Sequence, residues 1–379
     1  MEIPVYRPTL SGNERVYVDD CVDSCWISSK GKYNKLFEEG FAKYTGVKYA
    51  TTVSNGTMAL HLALMALGIG KGDEVIVPTF TYIASANAVR YTGAEVIFAE
   101  SLEDSWQIDP ADVKRKITDR TKAIMPVHLY GHPCDMEAIM NIAKQYRLFV
   151  IEDCAEAIGS EYKGKKVGSF GDIAAFSFFG NKTITCGEGG MVLTDDKTLY
   201  ERAIHLKGQG LAKHREYWHD IIGYNYRMTN IAAAIGLAQL EQIDTFIERK
   251  IEIANTYKER LKDCPVRVLS AVGDVKCTYW MVSISCDDLD DRDRLREFLG
   301  EKGIETRPTF YPIHMMPMYD QQYQRMPVAE KLGWSGINLP SYPALKEEEI
   351  AFICNSIKEF FSLKQAESRK ENKGKEIGR

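Results

Sequence analysis

Hydrophobic and polar positions along this chain alternate between the period of a helix and that of a buried strand. Apolar side chains recur at helical spacing from residue 55 to 68, directly after the turn-like Ser54-Asn55-Gly56, and predict a helix whose N-terminus faces a tight loop. Short apolar runs bounded by turn residues predict strands, with helical stretches between them, at 74–78, 95–99, 123–129 and 148–154. Strands that alternate with helices indicate a largely parallel sheet and an α/β fold.

The pattern changes towards the end of the chain. Further strands are predicted at 174–179 and 189–196, and residues 231–262 read as one long helix that leaves the first unit. Shorter strands and helices follow up to residue 363, which is typical of a smaller α+β unit. The predicted division is a large domain at 1–245, a small C-terminal domain at 246–365 and a charged, disordered tail at 366–379.

Composition and charge narrow the class of protein. An apolar share of 45% over 379 residues is ample for the cores of two domains and excludes a disordered or fibrous protein. The formal charge of −5 comes from 53 acidic and 48 basic side chains without basic blocks in the folded region, so we expect neither nucleic acid nor an anionic membrane as partner. No stretch approaches the roughly 20 apolar residues of a membrane span, and the start of the chain lacks a signal-peptide pattern. We therefore expect a cytoplasmic protein.

Cysteine usage points to the same compartment. The nine cysteines are an odd number at irregular spacings, without paired CxxC units. We expect reduced, mostly buried thiols rather than disulfides or structural zinc.

Lys182 is the first candidate for chemistry, in the segment FSFFGNKTITCGEGG at 176–190. It follows a predicted buried strand and lies among glycines, not on the solvated face of a helix. Most lysines are surface charges, and taken alone Lys182 would be read as one. A desolvated lysine can instead lose its proton and form a Schiff base with an aldehyde cofactor.

Two acidic side chains follow another predicted strand. In IEDCAEAIG at 151–159, Asp153 and Glu156 lie at the edge where open α/β sheets bind their ligands. A carboxylate beneath a pyridine nitrogen keeps that nitrogen protonated and makes the ring an electron sink. A helix cap and a metal site are the structural alternatives.

Two further segments suit a phosphorylated, aromatic cofactor. The loop SNGT at 54–57 opens the predicted helix with backbone N–H groups, a hydroxyl and a helix dipole, although such residues also cap helices that bind nothing. Tyr82, in PTFTYIASANA at 78–88, could be an aromatic plate for a ring, with core packing as an equal alternative.

In this order and spacing, the aspartate, the lysine before GEGG, the SNGT loop and the PTFTY segment resemble the sugar aminotransferases of the DegT/DnrJ/EryC1/StrS family. The resemblance runs from RPTLSGNE at 7–14 to RPTFYPIHMMPMY at 307–319. It implies the fold-type I, aspartate aminotransferase-like architecture of enzymes that use pyridoxal 5'-phosphate (PLP). This comprises a large domain with a mixed, mostly parallel seven-stranded sheet, a small α+β C-terminal domain and a homodimer with shared active sites.

The same resemblance implies roles for individual residues. Lys182 would carry PLP and shuttle the proton, and Asp153 would bind the pyridine nitrogen. Other contacts to the ring or phosphate would come from Gly56, Thr57, Tyr82, Glu156, Ser177 and, across the dimer, Asn225. Sugar-nucleotide contacts would come from Trp26, Ser28, Lys30, Arg307, Tyr311 and His314, with a core position as the equal alternative for His314.

The substrate is also implied by resemblance. The segments at 176–191 and 205–230, and the glutamate at 156, are most similar to family members that use L-glutamate and GDP-4-keto-6-deoxy-D-mannose, aminated at carbon 4 for O-antigen or a related surface glycan. A UDP- or dTDP-linked sugar, or amination at carbon 3, stays open.

Three further readings are weighed against the residues. A PLP-dependent sugar dehydratase is disfavoured, because relatives that dehydrate carry histidine at the position of Lys182. A silent binding protein on the same scaffold would be expected to lose Lys182 or Asp153. His128, His132 and Cys134 have the side chains of metal ligands, but HLYGHPCDM matches the family's strand-to-loop segment, and we predict no metal requirement.

Overall fold

A computed structural model describes residues 2–319 and 323–377 of the chain. These residues contain three β-sheets. The strands, in chain order, are β1 (Tyr49–Val53), β2 (Glu74–Pro78), β3 (Glu95–Ala99), β4 (Thr121–Ile124), β5 (Phe149–Asp153), β6 (Glu161–Tyr162), β7 (Lys165–Lys166), β8 (Ile173–Ser177), β9 (Gly190–Thr194), β10 (Val266–Val268), β11 (Val275–Lys276), β12 (Val282–Cys286), β13 (Arg307–Pro308) and β14 (Gly336–Leu339). The helices are α1 (Glu14–Asp23), α2 (Lys32–Thr45), α3 (Gly56–Leu67), α4 (Ala84–Tyr91), α5 (Pro110–Arg115), α6 (Met136–Tyr146), α7 (Lys197–Lys207), α8 (Asn230–Leu240), α9 (Ile243–Leu261), α10 (Asp291–Glu301), α11 (Pro327–Ser335) and α12 (Glu347–Ile377).

The largest sheet has seven strands in the order β1-β9-β8-β5-β4-β2-β3. From β3 to β8 neighbouring strands are parallel, whereas β9 is antiparallel to both β8 and β1. Strand β1 therefore runs in the same direction as β8, and the carboxyl ends of six strands meet at one edge, beside the start of β9. This confirms the predicted α/β class with a mixed, mostly parallel seven-stranded sheet, and it gathers the predicted site segments at one edge.

Helix α3 shows how the sequence starts and ends an element at that edge. Asn55 caps the helix, because its Oδ1 accepts a hydrogen bond from the backbone N–H of Met58 at 2.9 Å. Gly68 ends it with a φ of 80°, in the left-handed region that glycine adopts at little cost. Its side chains are buried on most sides, against α4, α7 and β8. The helix predicted at 55–68 is confirmed, and its first turn lies at the sheet edge.

A second sheet of four antiparallel strands, ordered β10-β12-β14-β13, follows in the second half of the chain. Helices α9, α10 and α12 pack around it and bury a separate apolar cluster that includes Tyr257, Leu295, Ile337 and Ile353. This agrees with the smaller α+β unit expected there. The domain boundary at residue 245 would fall in the first turn of α9, and it stays a prediction.

The helix expected at 231–262 is divided in the structure into α8 and α9, with a break at Glu241 and Gln242. At the break Glu241 accepts hydrogen bonds from Asn13 Nδ2 at 2.8 Å and from the Tyr17 hydroxyl at 2.7 Å. These tertiary contacts are not visible in the apolar spacing, which continues through the break.

Helix α12 continues to residue 377, whereas composition favoured disorder from residue 366. The segment is rich in glutamate, lysine and arginine, which have high intrinsic helix propensity, and this can extend a helix without core contacts. The last two residues of the tail, 378 and 379, lie outside the described residues. Within the described ranges, the helices are too short or too polar to cross a membrane.

The nine cysteines are all free thiols. Seven are buried, Cys264 is half-buried and Cys25 is exposed. Burial raises the pKa of the buried thiols, Cys134 and Cys154 among them. The prediction of mostly buried cysteines is confirmed, and their reduced state stays a prediction.

Candidate active site

A cavity of about 620 Å³ opens at the carboxyl edge of the seven-stranded sheet. Its walls come from the loops that follow β1, β2, β5 and β8, and from segments of the second unit next to β12, β13 and β14. The predicted site residues that line it are Gly56, Thr57, Tyr82, Asp153, Glu156, Ser177, Lys182 and Arg307. Residues separated by up to 251 positions in the chain, from Gly56 to Arg307, thus line one cavity. Those of the large sheet meet there because its parallel strands end at the same edge, and Arg307 is brought to it by β13 of the second sheet.

Lys182 lies deep in this cavity and is 8% exposed. Its backbone is held from two sides, since its N–H donates to the Phe179 carbonyl at 2.9 Å and its own carbonyl accepts a short hydrogen bond from the Tyr6 hydroxyl. Burial lowers the pKa of the Lys182 amine, and the nearby Glu156 and Asp153 oppose that shift. A lowered pKa favours the neutral amine, which is the nucleophilic form.

Glu156 is the acidic partner of that amine. Its Oε1 lies 3.7 Å from Lys182 Nζ, and its Oε2 accepts a hydrogen bond from the Tyr130 N–H at 3.0 Å. Burial raises the pKa of Glu156 to about 7, against the opposing effect of Lys182. Burial thus acts on both groups in the direction of their uncharged forms, whereas their mutual attraction favours the charged pair.

Asp153 ends β5 and is 4% exposed. Its Oδ2 accepts a hydrogen bond from the Ser85 hydroxyl at 2.7 Å, and its Oδ1 accepts one from the Ala155 N–H at 3.1 Å. Burial raises the pKa of Asp153, while Ser85, the Ala155 N–H and Lys182 act in the opposite direction. The carboxyl group is therefore held in a fixed orientation and responds strongly to a positive charge placed beside it.

The predicted phosphate loop fits tightly against two strands. A Cβ on Gly56 would lie 2.6 Å from Ser177 Cβ, and a Cβ on Gly190 would lie 2.4 Å from the Asn55 carbonyl oxygen. Only glycine allows these approaches, which bring the first turn of α3 and the end of β8 together. The start of α3 carries no acidic side chain, so its N–H groups and helix dipole remain suited to an anion.

These groups together fit PLP. The start of α3, with Thr57 and Ser177, suits a phosphate, Asp153 suits a pyridine nitrogen, and the Lys182 amine suits an aldehyde. Tyr82, which is 56% exposed and whose ring centroid lies 5.5 Å from that of Phe310, lines the same cavity. The donor set matches the chemistry of each part of the cofactor, and these contacts remain predictions residue by residue.

Other predicted contacts lie elsewhere in a single chain. Trp26 and Lys30 line a separate cavity of about 480 Å³, and the Ser28 carbonyl accepts a hydrogen bond from the Asn230 N–H at 2.6 Å. Asn225 is exposed, and its Oδ1 accepts hydrogen bonds from Arg227. A role for these residues at the Lys182 cavity stays a prediction, which for Asn225 includes a contact across a dimer.

Tyr311 and His314 also lie apart from the residues that line the main cavity. The Tyr311 hydroxyl accepts a hydrogen bond from Arg292 Nη1 at 3.2 Å. His314 is buried, and its Nδ1 lies 2.7 Å from Thr79 Oγ1. This position suits the core alternative for His314, and the substrate contacts of both residues stay predictions.

The histidines and cysteine of HLYGHPCDM take part in hydrogen bonds next to Asp153 and in the adjoining loops. The His128 N–H donates to the Asp153 carbonyl at 3.1 Å, His128 Nδ1 accepts from the Cys134 N–H at 3.0 Å, and its Nε2 lies 3.1 Å from Glu152 Oε2. His132 Nε2 accepts from the Val272 N–H at 3.1 Å.

One buried group of potential metal ligands combines His128 with Glu152 and Cys154, all within 4.8 Å of one another. The carboxylate of Glu152 already accepts hydrogen bonds at 2.7 Å from the N–H groups of Gly168, Phe170 and Gly171. Since these hydrogen bonds and that from His128 use the lone pairs a metal would need, the arrangement is structural.

Among the cavity residues that were not predicted from the sequence, two contact Asp153 and Lys182 directly. Ser85 orients Asp153, and Trp280 lies against Lys182 with its ring centroid 3.8 Å from Nζ. In the sequence Ser85 resembles an ordinary residue at a helix start and Trp280 part of a strand. The sequence therefore predicted only the segments that contain them, and no role for either residue. Three-dimensional contact was the missing signal.

Comparison with known proteins identifies the group to which this chain is similar. The model of the DegT/DnrJ/EryC1/StrS aminotransferase family matches residues 8–358. A GDP-perosamine synthase of Escherichia coli O157:H7 is 64% identical over 362 residues, which cover 96% of this chain and 99% of that protein. A GDP-perosamine synthase of Vibrio cholerae is 50% identical over 364 residues, covering 95% and 99% respectively.

A solved structure is similar to this chain in fold. The protein Spr1654 of Streptococcus pneumoniae, in its PLP form, superposes with a TM-score of 0.90 at 27% sequence identity and covers 94% of this chain and 98% of that one. Together with the family match over almost the whole chain and the cavity that fits PLP, this shows that the chain belongs to the PLP-dependent DegT/DnrJ/EryC1/StrS aminotransferase family.

Proposed function

We propose that this chain makes GDP-perosamine by moving the amino group of L-glutamate to carbon 4 of GDP-4-keto-6-deoxy-D-mannose, with PLP as the carrier. The supporting observation is that Lys182, Glu156 and Asp153 converge in one cavity of a chain that is 64% identical over 362 residues to a GDP-perosamine synthase. The product would serve O-antigen or a related surface glycan, and the reaction would take place in the cytoplasm.

The proton chemistry is assigned to Lys182. When bound, PLP supplies an aldehyde that takes up an amino group and a ring that stabilises negative charge at the reacting carbon. The Lys182 amine, whose pKa is lowered by burial, removes the proton from the α carbon of glutamate and delivers it again within the cavity. Glu156, 3.7 Å away, takes up or returns a proton as the amine changes its charge.

Asp153 and the loop before α3 orient the cofactor. The Asp153 carboxylate, fixed by Ser85 and the Ala155 N–H, would hold the pyridine nitrogen of bound PLP and favour its protonated form. The first turn of α3, with Thr57 and Ser177, would hold the phosphate. Arg307 lines the same cavity, and its guanidinium can bind the pyrophosphate of a nucleotide sugar.

We also propose a homodimer in which each subunit completes the other's site. Apolar side chains are exposed in the loop between α7 and α8, where Tyr217 is 93% and Ile222 is 89% exposed, and Trp26 is 56% exposed near α1. Isolated exposed apolar residues are ordinary, but several in one region suit a subunit interface. A second chain is also what would bring Trp26, Lys30 and Asn225 to a Lys182 cavity.

Co-expression of two inactive chains tests the shared site. A dimer of one Lys182→Ala subunit and one Trp26→Ala subunit, purified through two different tags, would contain one intact site if Trp26 acts across the interface, and about half of the wild-type activity should return. No recovery in a dimer confirmed by light scattering would mean that Trp26 acts within its own subunit or not at all.

The substrate is tested directly. The purified protein is incubated with PLP, L-glutamate and enzymatically generated GDP-4-keto-6-deoxy-D-mannose, with Lys182→Ala as the control, and 2-oxoglutarate release is followed while the product is identified by mass and NMR. GDP-perosamine from the wild type alone is the expected result. Release of 2-oxoglutarate without an aminated GDP sugar would refute the substrate and keep the aminotransferase, and UDP- and dTDP-linked keto sugars would then be compared.

A further inference from the structure

The indole ring of Trp280 lies directly against the reactive amine. Lys182 Nζ is 3.8 Å from the centre of the ring, and Trp280 Nε1 donates a hydrogen bond to the Asn181 carbonyl at 2.7 Å. Trp280 therefore contacts both the end of the Lys182 side chain and the peptide group just before it. The ring is 5% exposed, so this contact is shielded from water.

Neighbouring aromatic rings fix the position of that indole. The Tyr130 ring is nearly parallel to it, with centroids 6.0 Å apart and an interplanar angle of 7°, and Phe310 lies at 6.3 Å and 19°. Tyr130 is also the residue whose N–H donates to Glu156 at 3.0 Å. One rigid set of residues thus borders the amine on its Trp280 side and on its Glu156 side.

We propose that Trp280 is a positioning residue that holds the Lys182 side chain over the indole face, near Glu156, whenever its amine is not bonded to the cofactor, and that stabilises the ammonium formed once this amine has taken up the substrate proton. The inference rests on the proposed use of Lys182 as proton carrier and deepens it. A freed lysine has four rotatable side-chain bonds and would otherwise spread over many rotamers. Holding it in place preserves the geometry for the next proton transfer and for recapture of the cofactor.

The electrostatics are consistent with this position. An ammonium is attracted to the face of an indole, and more strongly when both are removed from water. The charged groups that act on the amine are Glu156 and Asp153, both from the segment at the end of β5, and they also favour the ammonium. Burial acts in the opposite direction and lowers the pKa of Lys182. The ring and the two carboxyl groups therefore offset part of the effect of burial.

The first measurement follows the amine itself in the full-length chain. Acetylation of Lys182 by trace acetic anhydride is followed across pH in the cofactor-free protein and read on its tryptic peptide by mass spectrometry. Trp280→Leu removes the face that favours the ammonium, so the midpoint of labelling should fall by about half to one and a half pH units. An unchanged midpoint would overturn the proposal.

Trp106 provides the matched control. It is a buried tryptophan, 1% exposed, in the same aromatic group, with its ring edge-on to Tyr130 at 6.3 Å and 81°. Trp106→Leu removes a similar volume from the same region, and the Lys182 midpoint should stay at the wild-type value. An equal shift in both variants would assign the effect to general loosening and overturn the proposal.

A conservative pair covers the case in which the leucine variants do not fold. Phenylalanine keeps an aromatic face that attracts cations more weakly than indole. Trp280→Phe should shift the midpoint in the same direction but less than leucine, and Trp106→Phe should not shift it. Equal midpoints in the two phenylalanine variants would count against Trp280.

A kinetic measurement separates positioning from binding. In the first half-reaction with glutamate alone, Trp280→Leu should lower the rate of amino transfer about ten-fold with the KM for glutamate nearly unchanged, because the proton carrier and not the donor site is disturbed. A rise in KM without a fall in rate would refute the role. Neither measurement uses a nucleotide sugar, so both remain informative if GDP-4-keto-6-deoxy-D-mannose is not the substrate.

Discussion

Replacing Ser85 with alanine should weaken cofactor binding through Asp153 alone. The Ser85 hydroxyl is 1% exposed and donates to Asp153 Oδ2 at 2.7 Å, and the other carboxylate oxygen keeps its hydrogen bond from the Ala155 N–H. The substitution removes one of two hydrogen bonds from a buried carboxylate without adding volume. It leaves Lys182 and the phosphate loop untouched.

The expected magnitude follows from the charge on the acceptor. A hydrogen bond to an ionised group contributes about 1.5–3 kcal/mol, which corresponds to about one to two pKa units. Burial already raises the pKa of Asp153 and Ser85 opposes that shift, so Ser85→Ala should raise this pKa further. Because the variant carboxylate is less stable in its ionised form, PLP binding should weaken, by at most the about 10- to 100-fold that corresponds to the lost hydrogen bond.

The pH dependence of the stability of Ser85→Ala gives a second test. A carboxyl group whose folded pKa is raised above the unfolded value of about 3.9 destabilises the fold increasingly as the pH rises towards the folded pKa. Ser85→Ala enlarges that effect. The urea midpoint of the cofactor-free variant should therefore differ from wild type less at pH 5 than at pH 8.

The assay is a titration of cofactor-free protein with PLP, followed by absorbance, at several pH values. Ser335→Ala is the matched control, because Ser335 is 1% exposed and its hydroxyl has no hydrogen-bond partner within the described residues. Wild-type affinity for PLP in Ser85→Ala, with equal urea midpoints at both pH values, would refute the idea that Ser85 keeps Asp153 ionised.

Three further predictions concern Glu156, the phosphate loop and metals. Burial raises the pKa of Glu156 to about 7, so the wild-type rate should change as the pH passes that value. Glu156→Gln mimics the protonated form and should remove this inflection from the pH–rate profile. An inflection that survives in the variant would belong to another group. Gly190→Ala places a Cβ 2.4 Å from the carbonyl oxygen of Asn55 in the phosphate loop. It should destabilise that loop by about 1–3 kcal/mol and weaken PLP binding in the same titration. Gly300→Ala, with open space around the added carbon, should bind PLP normally. Dialysis against EDTA should leave activity unchanged, since His128 and Glu152 are already engaged in hydrogen bonds, and a loss restored by added zinc would contradict that.

Apolar spacing predicted the elements that build the central sheet. The strands at 74–78 and 95–99 agree with β2 and β3 to the residue, because in each a glutamate is followed by a short apolar run between turn residues. The run at 123–129 was too long, since β4 ends at Ile124 and the chain then turns towards the site. Spacing reports burial, and burial continues beyond the end of that strand.

The sequence predicted those residues of the candidate site that are recognisable by their own chemistry or by the family resemblance. Lys182, Asp153 and Glu156 lie in one cavity as expected, because the strands before them end at the same edge. Ser85 and Trp280 could not be predicted, since each acts through a contact with a residue at least 68 positions away. The proposed contact of Trp26 with the substrate would depend on a second chain, which local sequence patterns do not describe.

The distribution of thiols makes this protein convenient to label without mutagenesis. Burial raises the pKa of the seven buried cysteines and also that of the half-buried Cys264, which slows their reaction with maleimides, whereas Cys25 is exposed next to Trp26. Cys25 also lies on the surface proposed to meet a second subunit, so its reaction with a maleimide would report whether that surface is covered. The reaction should be slow in a concentrated solution of the protein and faster after dilution, with the native sequence intact.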